Sequence, residues 1–316
     1  MFLTTNNLQS DSMNILITGG TGFIGRQLIE RLLAEGHQVT VLTRQPARSN
    51  HAHPSISYVG LNDLSAMSTT GTFDIVINLA GAPIIGPRWT AARKATLMQS
   101  RVGTTQALVD WLHRAEHKPK LFISGSAIGY YGIQAVGDDR GLDETAPSQA
   151  IFMSTLCQAW EAAARAAEQD GITVTCVRLG VVLGKANALP MMLLPIKLGV
   201  GGRLGRGTQW LSWIHIEDAV SALMHLVSRF DTPDMLAPTY NLVSPQPVQQ
   251  IEFAQVAAHV HHRPALLPTP AWPMKILLGE QADLLLEGQR VLPQQLLSEG
   301  FAFKYADLQG ALLNLR

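Results

Sequence analysis

The stretch TGGTGFIG, residues 18–25, decides how this chain folds. It follows the apolar run MNILI at residues 13–17, which predicts a buried strand, and it precedes residues 26–33, whose apolar side chains recur at helical spacing. The glycines therefore lie on a strand-to-helix turn, where they allow a tight turn, close approach of a pyrophosphate and close packing of the helix on the sheet. The free amides that begin the helix would face the phosphates of a dinucleotide. The alternative is a plain loop that enters a helix.

The next strand bears on which dinucleotide is bound. The run QVTVLT at residues 38–43 predicts a second strand, and Arg44 follows it. An acidic residue is expected about 20 residues after the glycines of an NAD site, where it binds the ribose hydroxyls. A guanidinium there pairs instead with the extra phosphate of NADP, so we predict NADP as the cofactor. Arg26 and Arg48 are weaker candidates for this phosphate, and the alternative for Arg44 is a solvated surface side chain.

Composition excludes several classes of protein. The chain has 316 residues, of which 47% are hydrophobic, and its 24 basic and 24 acidic side chains give no net charge. This balance predicts neither a nucleic-acid nor a membrane partner. The two cysteines, Cys157 and Cys176, lie in apolar segments and are expected to be buried thiols of a cytoplasmic protein. The histidines form no metal-ligand pattern, so no metal site is expected, and residues 1–12 predict a flexible extension rather than a signal peptide.

Strand-like and helix-like segments alternate along most of the chain. Further strands are expected at residues 74–81, 120–124 and 174–180, with helices over 89–115 and 159–169. This order predicts an α/β fold with a doubly wound parallel sheet (a Rossmann fold). The regular alternation of strand-like and helix-like segments ends after Gly180, which indicates a smaller, discontinuous C-terminal substrate lobe. The expected division is a dinucleotide-binding domain of residues 13–180 and 208–243, and a smaller lobe of residues 181–207 and 244–316.

Several motifs together resemble one superfamily. They are TGGTGFIG (18–25), NLAG (78–81), SGSAIGYYG (124–132), RLGVVLG (178–184) and WIHIEDA (213–219). In this combination they resemble the extended short-chain dehydrogenase/reductases. The further motifs GPRWT (86–90), GGRLGRGTQW (201–210) and EGQRVLP (287–293) resemble the "epimerase family" branch, whose members are described as NADP-dependent oxidoreductases or nucleoside-diphosphate-sugar epimerases with a short C-terminal domain of their own. The resemblance covers nearly the whole chain.

The resemblance implies a cofactor site and a catalytic set. In that superfamily a serine steadies the oxyanion, a tyrosine exchanges a proton, and a lysine holds the nicotinamide ribose and lowers the pKa of the tyrosine. Ser126 matches the serine, but alignment on Glu161 places Met153 at the tyrosine and Cys157 at the lysine. The residues expected to bind the cofactor are Gly19, Thr21, Gly22, Phe23, Ile24, Gly25, Arg44, Leu79, Ala80, Gly81, Ser124 and Arg178.

The missing pair leaves the proton donor open. Tyr131, supported by Ser126, is our candidate for the catalytic acid, and Tyr130 is the nearest other phenol. The alternative is that both tyrosines are structural. His215, between a strand-like run and a helix, is expected to be a buried, hydrogen-bonded residue rather than a base.

A glycine-rich loop at residues 199–210 is the candidate substrate site. Arginine suits phosphate and tryptophan can stack on a sugar face; the alternative is an ordinary connection with exposed arginines. The residues expected to bind substrate are Arg203, Arg206, Gln209 and Trp210. These expectations favour an NADP(H)-binding oxidoreductase or epimerase-like enzyme, a monomer or homodimer. Its substrate is expected to be a small polar molecule, with nucleotide-linked compounds among the candidates. The rival hypothesis is a regulatory or redox-sensing protein that binds NADP with little turnover.

Overall fold

A computed structural model describes residues 12–46, 53–265 and 267–316. Of the extension expected at residues 1–12, only Ser12 lies within the described residues. No helix of the described residues is both long and apolar enough to cross a membrane.

Seven parallel strands form the central sheet, in the order β10-β6-β5-β4-β1-β2-β3. The sheet strands are β1 (Asn14–Thr18), β2 (Gln38–Thr43), β3 (Ile56–Gly60), β4 (Ile75–Asn78), β5 (Leu121–Ala127), β6 (Thr173–Leu179) and β10 (Thr239–Leu242). The remaining short strands are β7 (Val181–Leu183), β8 (Trp210–Leu211), β9 (Trp213–His215) and β11 (Val248–Gln249). From β1 the chain order runs outward through β2 and β3, and from β4 it runs outward in the opposite direction. The boundary between β1 and β4 is therefore the topological switch point, where such sheets bind ligands.

Helices cover both faces of this sheet. In chain order, the α-helices of the described residues are α1 (Phe23–Ala34), α2 (Ala91–Met98), α3 (Thr104–Arg114), α4 (Phe152–Arg165), α5 (Ala188–Lys197), α6 (Ile216–Val227), α7 (Gln250–Val260), α8 (Ala271–Leu278), α9 (Asp283–Leu286), α10 (Gln294–Ser298) and α11 (Leu308–Asn314). The helices that pack on the sheet include α1, α3, α4 and α6. One core cluster joins the sheet to α1 and α6, and a second joins it to α3 and α4. Because both faces are covered, the strands are continuous apolar runs such as the buried Ile15, Leu16 and Ile17.

The C-terminal part of the chain forms a smaller body with its own apolar cluster. Both stretches that we assign to the smaller lobe contribute to it, because Leu189 and Leu193 of α5 pack with Phe253 of α7 and Leu312 of α11. Two small sheets lie beside the main one: β8 pairs antiparallel with β11, and β7 pairs parallel with β9.

The predicted doubly wound parallel sheet is confirmed, and three local predictions need correction. The helix expected over residues 89–115 is interrupted by a π-helical turn, Gln99–Gly103, because a local widening of the helix leaves little trace in apolar periodicity. The helix expected at 159–169 begins earlier, at Phe152, and gives way to a 3₁₀ turn after Arg165. The edge strand β3 was not expected, since its mostly half-buried residues lack a strong apolar pattern. Cys157 and Cys176 are free and buried, as predicted.

Candidate active site

The turn between β1 and α1 is built so that only glycine fits at two of its positions. Gly19 has a φ of +71°, and a Cβ there would lie 2.5 Å from the carbonyl carbon of Leu79. A Cβ on Gly25 would lie 2.4 Å from the carbonyl oxygen of Gly19. The backbone amide of Gly22 donates to that same oxygen at 2.9 Å. The turn therefore brings the start of α1 against the ends of β1 and β4.

The start of α1 is suited to an anion. Gly22 is the N-cap and has no side chain to occupy the free amides, and the first turn of α1 carries no acidic residue. The first amides of a helix lack partners within the helix and carry its positive partial charge. A phosphate placed here would therefore find donors and favourable charge together.

Arg44 lies exposed directly after β2. It forms no ion pair with any residue that the structure describes. Arg26, the first alternative, is tied to the turn because its Nε donates to the carbonyl of Thr21 at 2.8 Å. Arg48, the other alternative, lies outside the described residues. The guanidinium of Arg44 is therefore available to a ligand, whereas one donor of Arg26 is already used.

The end of β4 forms the next wall of the cleft. Leu79 and Ala80 are half-buried and Gly81 is exposed. Buried Asn78 holds this wall in place, because its Oδ1 accepts from Thr18 of β1 and its Nδ2 donates to Thr105 of α3 at 2.7 Å. The segments expected to line a cofactor are therefore brought together at the switch point.

Ser126 and Arg178 of the sheet, and Tyr131 from the turn that follows β5, belong to a buried polar network. Ser126 donates to Oε1 of Glu161 at 2.7 Å, and Arg178 binds both carboxylate oxygens of Glu161 at 2.8 and 2.9 Å. Arg178 also donates to the hydroxyl of Tyr131 at 2.9 Å, and that hydroxyl donates to Asn241 at 2.7 Å. The network joins β5, α4, β6 and β10. Glu161 is the partner of both Ser126 and Arg178, a role that its position in the sequence does not indicate.

The hydrogen bonds of this network limit what the predicted catalytic residues, Ser126 and Tyr131, can do. Tyr131 is only 2% exposed, and burial raises its pKa to about 12 against the opposing charge of Arg178. A phenolate near neutral pH is therefore disfavoured. Tyr131 can donate its proton to a ligand only after its hydrogen bond to Asn241 breaks. The catalytic assignment of Ser126 and Tyr131 stays a prediction, and the geometry favours a structural role.

The expected contacts of Arg178 and Ser124 with the cofactor also stay predictions. The guanidinium of Arg178 is occupied by the network and stacks 3.4 Å from the ring centre of Tyr130, which favours a structural role. Ser124 is fully buried in β5, where its hydroxyl donates to the carbonyl of Gly125 at 3.4 Å.

The positions of the missing tyrosine and lysine are filled by packing side chains. A Cβ on Gly129 would lie 2.9 Å from the methyl of Met153 and 3.7 Å from the sulfur of Cys157, so both side chains pack on the loop that follows β5. Burial raises the pKa of the Cys157 thiol to about 12. Met153 has no titratable group, and the Cys157 thiol keeps its proton near neutral pH.

Three of the four predicted substrate residues line one cavity of about 210 Å³. They are Arg206, Gln209 and Trp210; Arg203 does not line it, and its side chain packs on Gly207. Arg206 is paired with Glu287, which also lines the cavity. Gln209 donates to the carbonyls of Leu204 and Leu285 at 3.0 and 3.1 Å. Its buried Oε1 has no hydrogen-bond partner in the described part of the chain.

His215 is fully buried, as expected from its sequence context. Its Nδ1 accepts from the amide of Glu217 at 3.1 Å and so caps α6, while its Nε2 lies 3.1 Å from Asn314. Burial lowers its pKa. His215 therefore joins α6 to α11 and faces no cleft residue in these contacts.

Comparison with known proteins places the chain in a family. Residues 15–242 match the model of the NAD dependent epimerase/dehydratase family, and residues 269–315 match a domain of unknown function, DUF1731. The epimerase family protein SSP1921 of Staphylococcus saprophyticus is 39% identical over 301 residues, covering 95% of this chain and 98% of the relative. The epimerase family protein SDR39U1 homolog of Arabidopsis thaliana is 36% identical, covering 98% of this chain and 89% of the relative.

Solved structures agree with this placement. The human epimerase family protein SDR39U1, solved with NADPH, has a TM-score of 0.85 and 34% identity, covering 96% of this chain and 99% of that one. A UDP-galactose 4-epimerase, with a TM-score of 0.71 and 19% identity over 96% of this chain and 97% of that one, shares the fold. The chain therefore belongs to the NAD dependent epimerase/dehydratase family of extended short-chain dehydrogenase/reductases, and it carries the C-terminal domain DUF1731.

Proposed function

We propose that this chain binds NADP(H) at the switch point and acts as an oxidoreductase or epimerase-like enzyme on a small polar substrate, with nucleotide-linked compounds the first class to test. The observation that carries the proposal is the glycine turn between β1 and α1. Its backbone leaves no room for a Cβ at Gly19 or Gly25, and its helix start offers unoccupied amides. A bound nicotinamide would supply the hydride donor or acceptor of the reaction.

The preference for NADP rests on Arg44. This arginine is exposed at the end of β2, where the ribose of the adenine half is expected, and the described residues offer it no carboxylate partner. A guanidinium with free donors favours a phosphate ester over a hydroxyl. The human relative was solved with NADPH, which supports the same choice.

The cavity at the substrate loop supports a hydroxylated ligand more than a free phosphate. Arg206 is already neutralised by Glu287, and Asp138 and Asp139 also line the cavity. A phosphate would therefore have to displace an ion pair. The buried Oε1 of Gln209 has no partner in the described part of the chain, and after a small turn of the side chain it would accept a hydrogen bond from a hydroxyl or amide of the ligand.

A second function has its own support. Met153, Cys157 and Tyr131 provide no group that titrates near neutral pH, which favours an NADP-binding regulatory or redox-sensing protein. Oxidation of NADPH with a panel of carbonyl compounds, or epimerisation of sugar nucleotides, would favour the enzyme. Tight NADPH binding without either reaction would favour the regulatory protein.

The cofactor assignment is tested by calorimetric titration of NADPH and NADH into the wild type and Arg44→Ala. A hydrogen bond to a charged group is worth about 1.5–3 kcal/mol, so Arg44→Ala should weaken NADPH by about tenfold or more and leave NADH unchanged. Arg31→Ala is the matched control, because Arg31 is an exposed arginine in the last turn of α1. Equal affinity of the wild type for both cofactors would refute the preference for NADP.

A further inference from the structure

Arg101 is a half-buried cation at the wall of the cleft. It lies in the π-helical turn Gln99–Gly103, and its Nη2 donates to the carbonyl of Ala82 at 3.0 Å, just past β4. A Cβ on Gly81 would lie 3.2 Å from the guanidinium carbon, so the guanidinium packs directly on the Gly81 backbone. Arg101 therefore contacts a segment that we expect to line the cofactor.

The charge of Arg101 lacks a counter-ion. Within the described ranges, no carboxylate lies within ion-pair distance of it. Its pKa is lowered, chiefly by burial, and the charge of Arg93 lowers it further. Arg178, in contrast, is buried against the carboxylate of Glu161. Desolvating a charge without a partner is costly, so an unpaired cation in a cleft points to a ligand that supplies acceptors.

The backbone of this turn is fixed to the switch point. The hydroxyl of Thr105 donates to the carbonyl of Arg101 at 2.7 Å and accepts from Asn78 at 2.7 Å. The amide of Ala82 donates to the hydroxyl of Ser100 at 3.1 Å. These bonds tie the turn to the end of β4, and π-helical turns occur frequently at functional sites.

Across from Arg101 lies the face of α4 that lacks the family's lysine. The guanidinium carbon is 5.3 Å from the ring centre of Trp160, whose buried Nε1 has no hydrogen-bond partner within the described part of the chain. Cys157, at the lysine position, is near enough for the charge of Arg101 to oppose the effect of burial on its thiol. A positive charge is therefore present beside the lysine position, but it comes from the turn before α3.

We propose that Arg101 binds the ribose of the nicotinamide half of the cofactor, and so replaces the missing lysine from a different element. This inference rests on the proposed function, because it requires NADP(H) in the cleft. The guanidinium keeps its bond to Ala82. Its Nη1 has only long contacts, 3.4 Å to the carbonyl of Leu97 and 3.5 Å to the hydroxyl of Ser100, and turns with Nε to the ribose oxygens.

The test compares two ligands by calorimetry: NADPH, and adenosine 2′,5′-bisphosphate, which lacks the nicotinamide half. Arg101→Met should weaken NADPH by about tenfold or more and leave the bisphosphate within about twofold. Arg101→Lys keeps the charge and should fall between the wild type and Arg101→Met. Arg114→Met, which removes an exposed arginine from the end of α3, should change neither affinity.

The outcomes separate the two proposals. Retained bisphosphate binding shows that the variant is folded and that its adenine half-site is intact. Unchanged NADPH affinity in Arg101→Met overturns the role of Arg101 and leaves the proposed function standing. Equal weakening of both ligands also overturns it, because the residue would then only shape the cleft. If the wild type binds neither ligand, the proposed function fails and this inference fails with it.

Discussion

At the scale of single residues, the contacts decide between roles that the residue types leave open. Tyr131 and Ser126 follow one another on the same strand-and-loop segment, so a sequence motif groups them as a catalytic pair. The structure instead gives each its own partner: Asn241 and Arg178 for the tyrosine, and Glu161 for the serine. Their partners lie 35 to 110 residues away in sequence, and no local pattern shows such pairings.

Tyr131→Phe removes only the hydroxyl. Because this hydroxyl is buried and satisfies both Arg178 and Asn241, we expect the free energy of unfolding to fall by about 1–3 kcal/mol. NADPH affinity should stay within about twofold. Urea unfolding and calorimetry measure the two effects. A fall in kcat of about 10²-fold with unchanged stability would instead make Tyr131 the proton donor.

At the scale of elements, the glycine turn between β1 and α1 could be predicted from the sequence. The π-helical turn that carries Arg101, on the other side of the cleft, could not. The turn follows from local rules, since a buried strand, three glycines and an amphipathic helix occur within about 20 residues. The doubly wound parallel class of the sheet follows from the alternation of strands and helices, but the edge strands β3 and β10 do not. Arg101 was missed because its position depends on one π-helical turn, which shifts a side chain without changing the apolar pattern.

The turn predicts a difference between two glycine variants. Gly22 has a φ of −77°, which other residues adopt, and a Cβ there would lie 3.0 Å from the carbonyl oxygen of Gly19. Gly22→Val should therefore fold and lose NADPH binding, because the branched side chain occupies the space of the pyrophosphate. Gly25→Val should lose stability as well, since its Cβ would lie only 2.4 Å from that oxygen.

Thermal unfolding and calorimetry on both variants test this account. A folded Gly22→Val protein that still binds NADPH would place the cofactor elsewhere. A Gly25→Val protein as stable as Gly22→Val would show that the close packing of α1 is not required.

At the scale of the whole molecule, a large buried core holds several groups that can lose a proton. Burial raises the pKa of Cys157, Cys176 and Tyr131 to about 12. In an unfolded chain thiols lose their protons near pH 8.5 and tyrosines near pH 10. Above about pH 8.5 the unfolded state therefore binds fewer protons than the folded state, and stability falls as the pH rises toward 12.

We expect the free energy of unfolding to be steady between about pH 7.5 and 8.5 and to decline above it. Urea unfolding at pH 7.5, 9 and 10 measures the decline. A Cys157→Ala/Cys176→Ala double variant should be less stable at every pH because of the cavities, but its decline with pH should be shallower. A wild-type stability that is flat across this range, or an equal slope in the double variant, would contradict the expectation.

The central claim is that NADP(H) lies across the switch point, and a crystal structure grown with NADPH tests it most directly. We expect the pyrophosphate on the amides that begin α1, the 2′-phosphate beside Arg44, and the nicotinamide ribose beside Arg101. A cofactor bound away from the glycine turn, or a 2′-phosphate without contact to Arg44, would contradict the account.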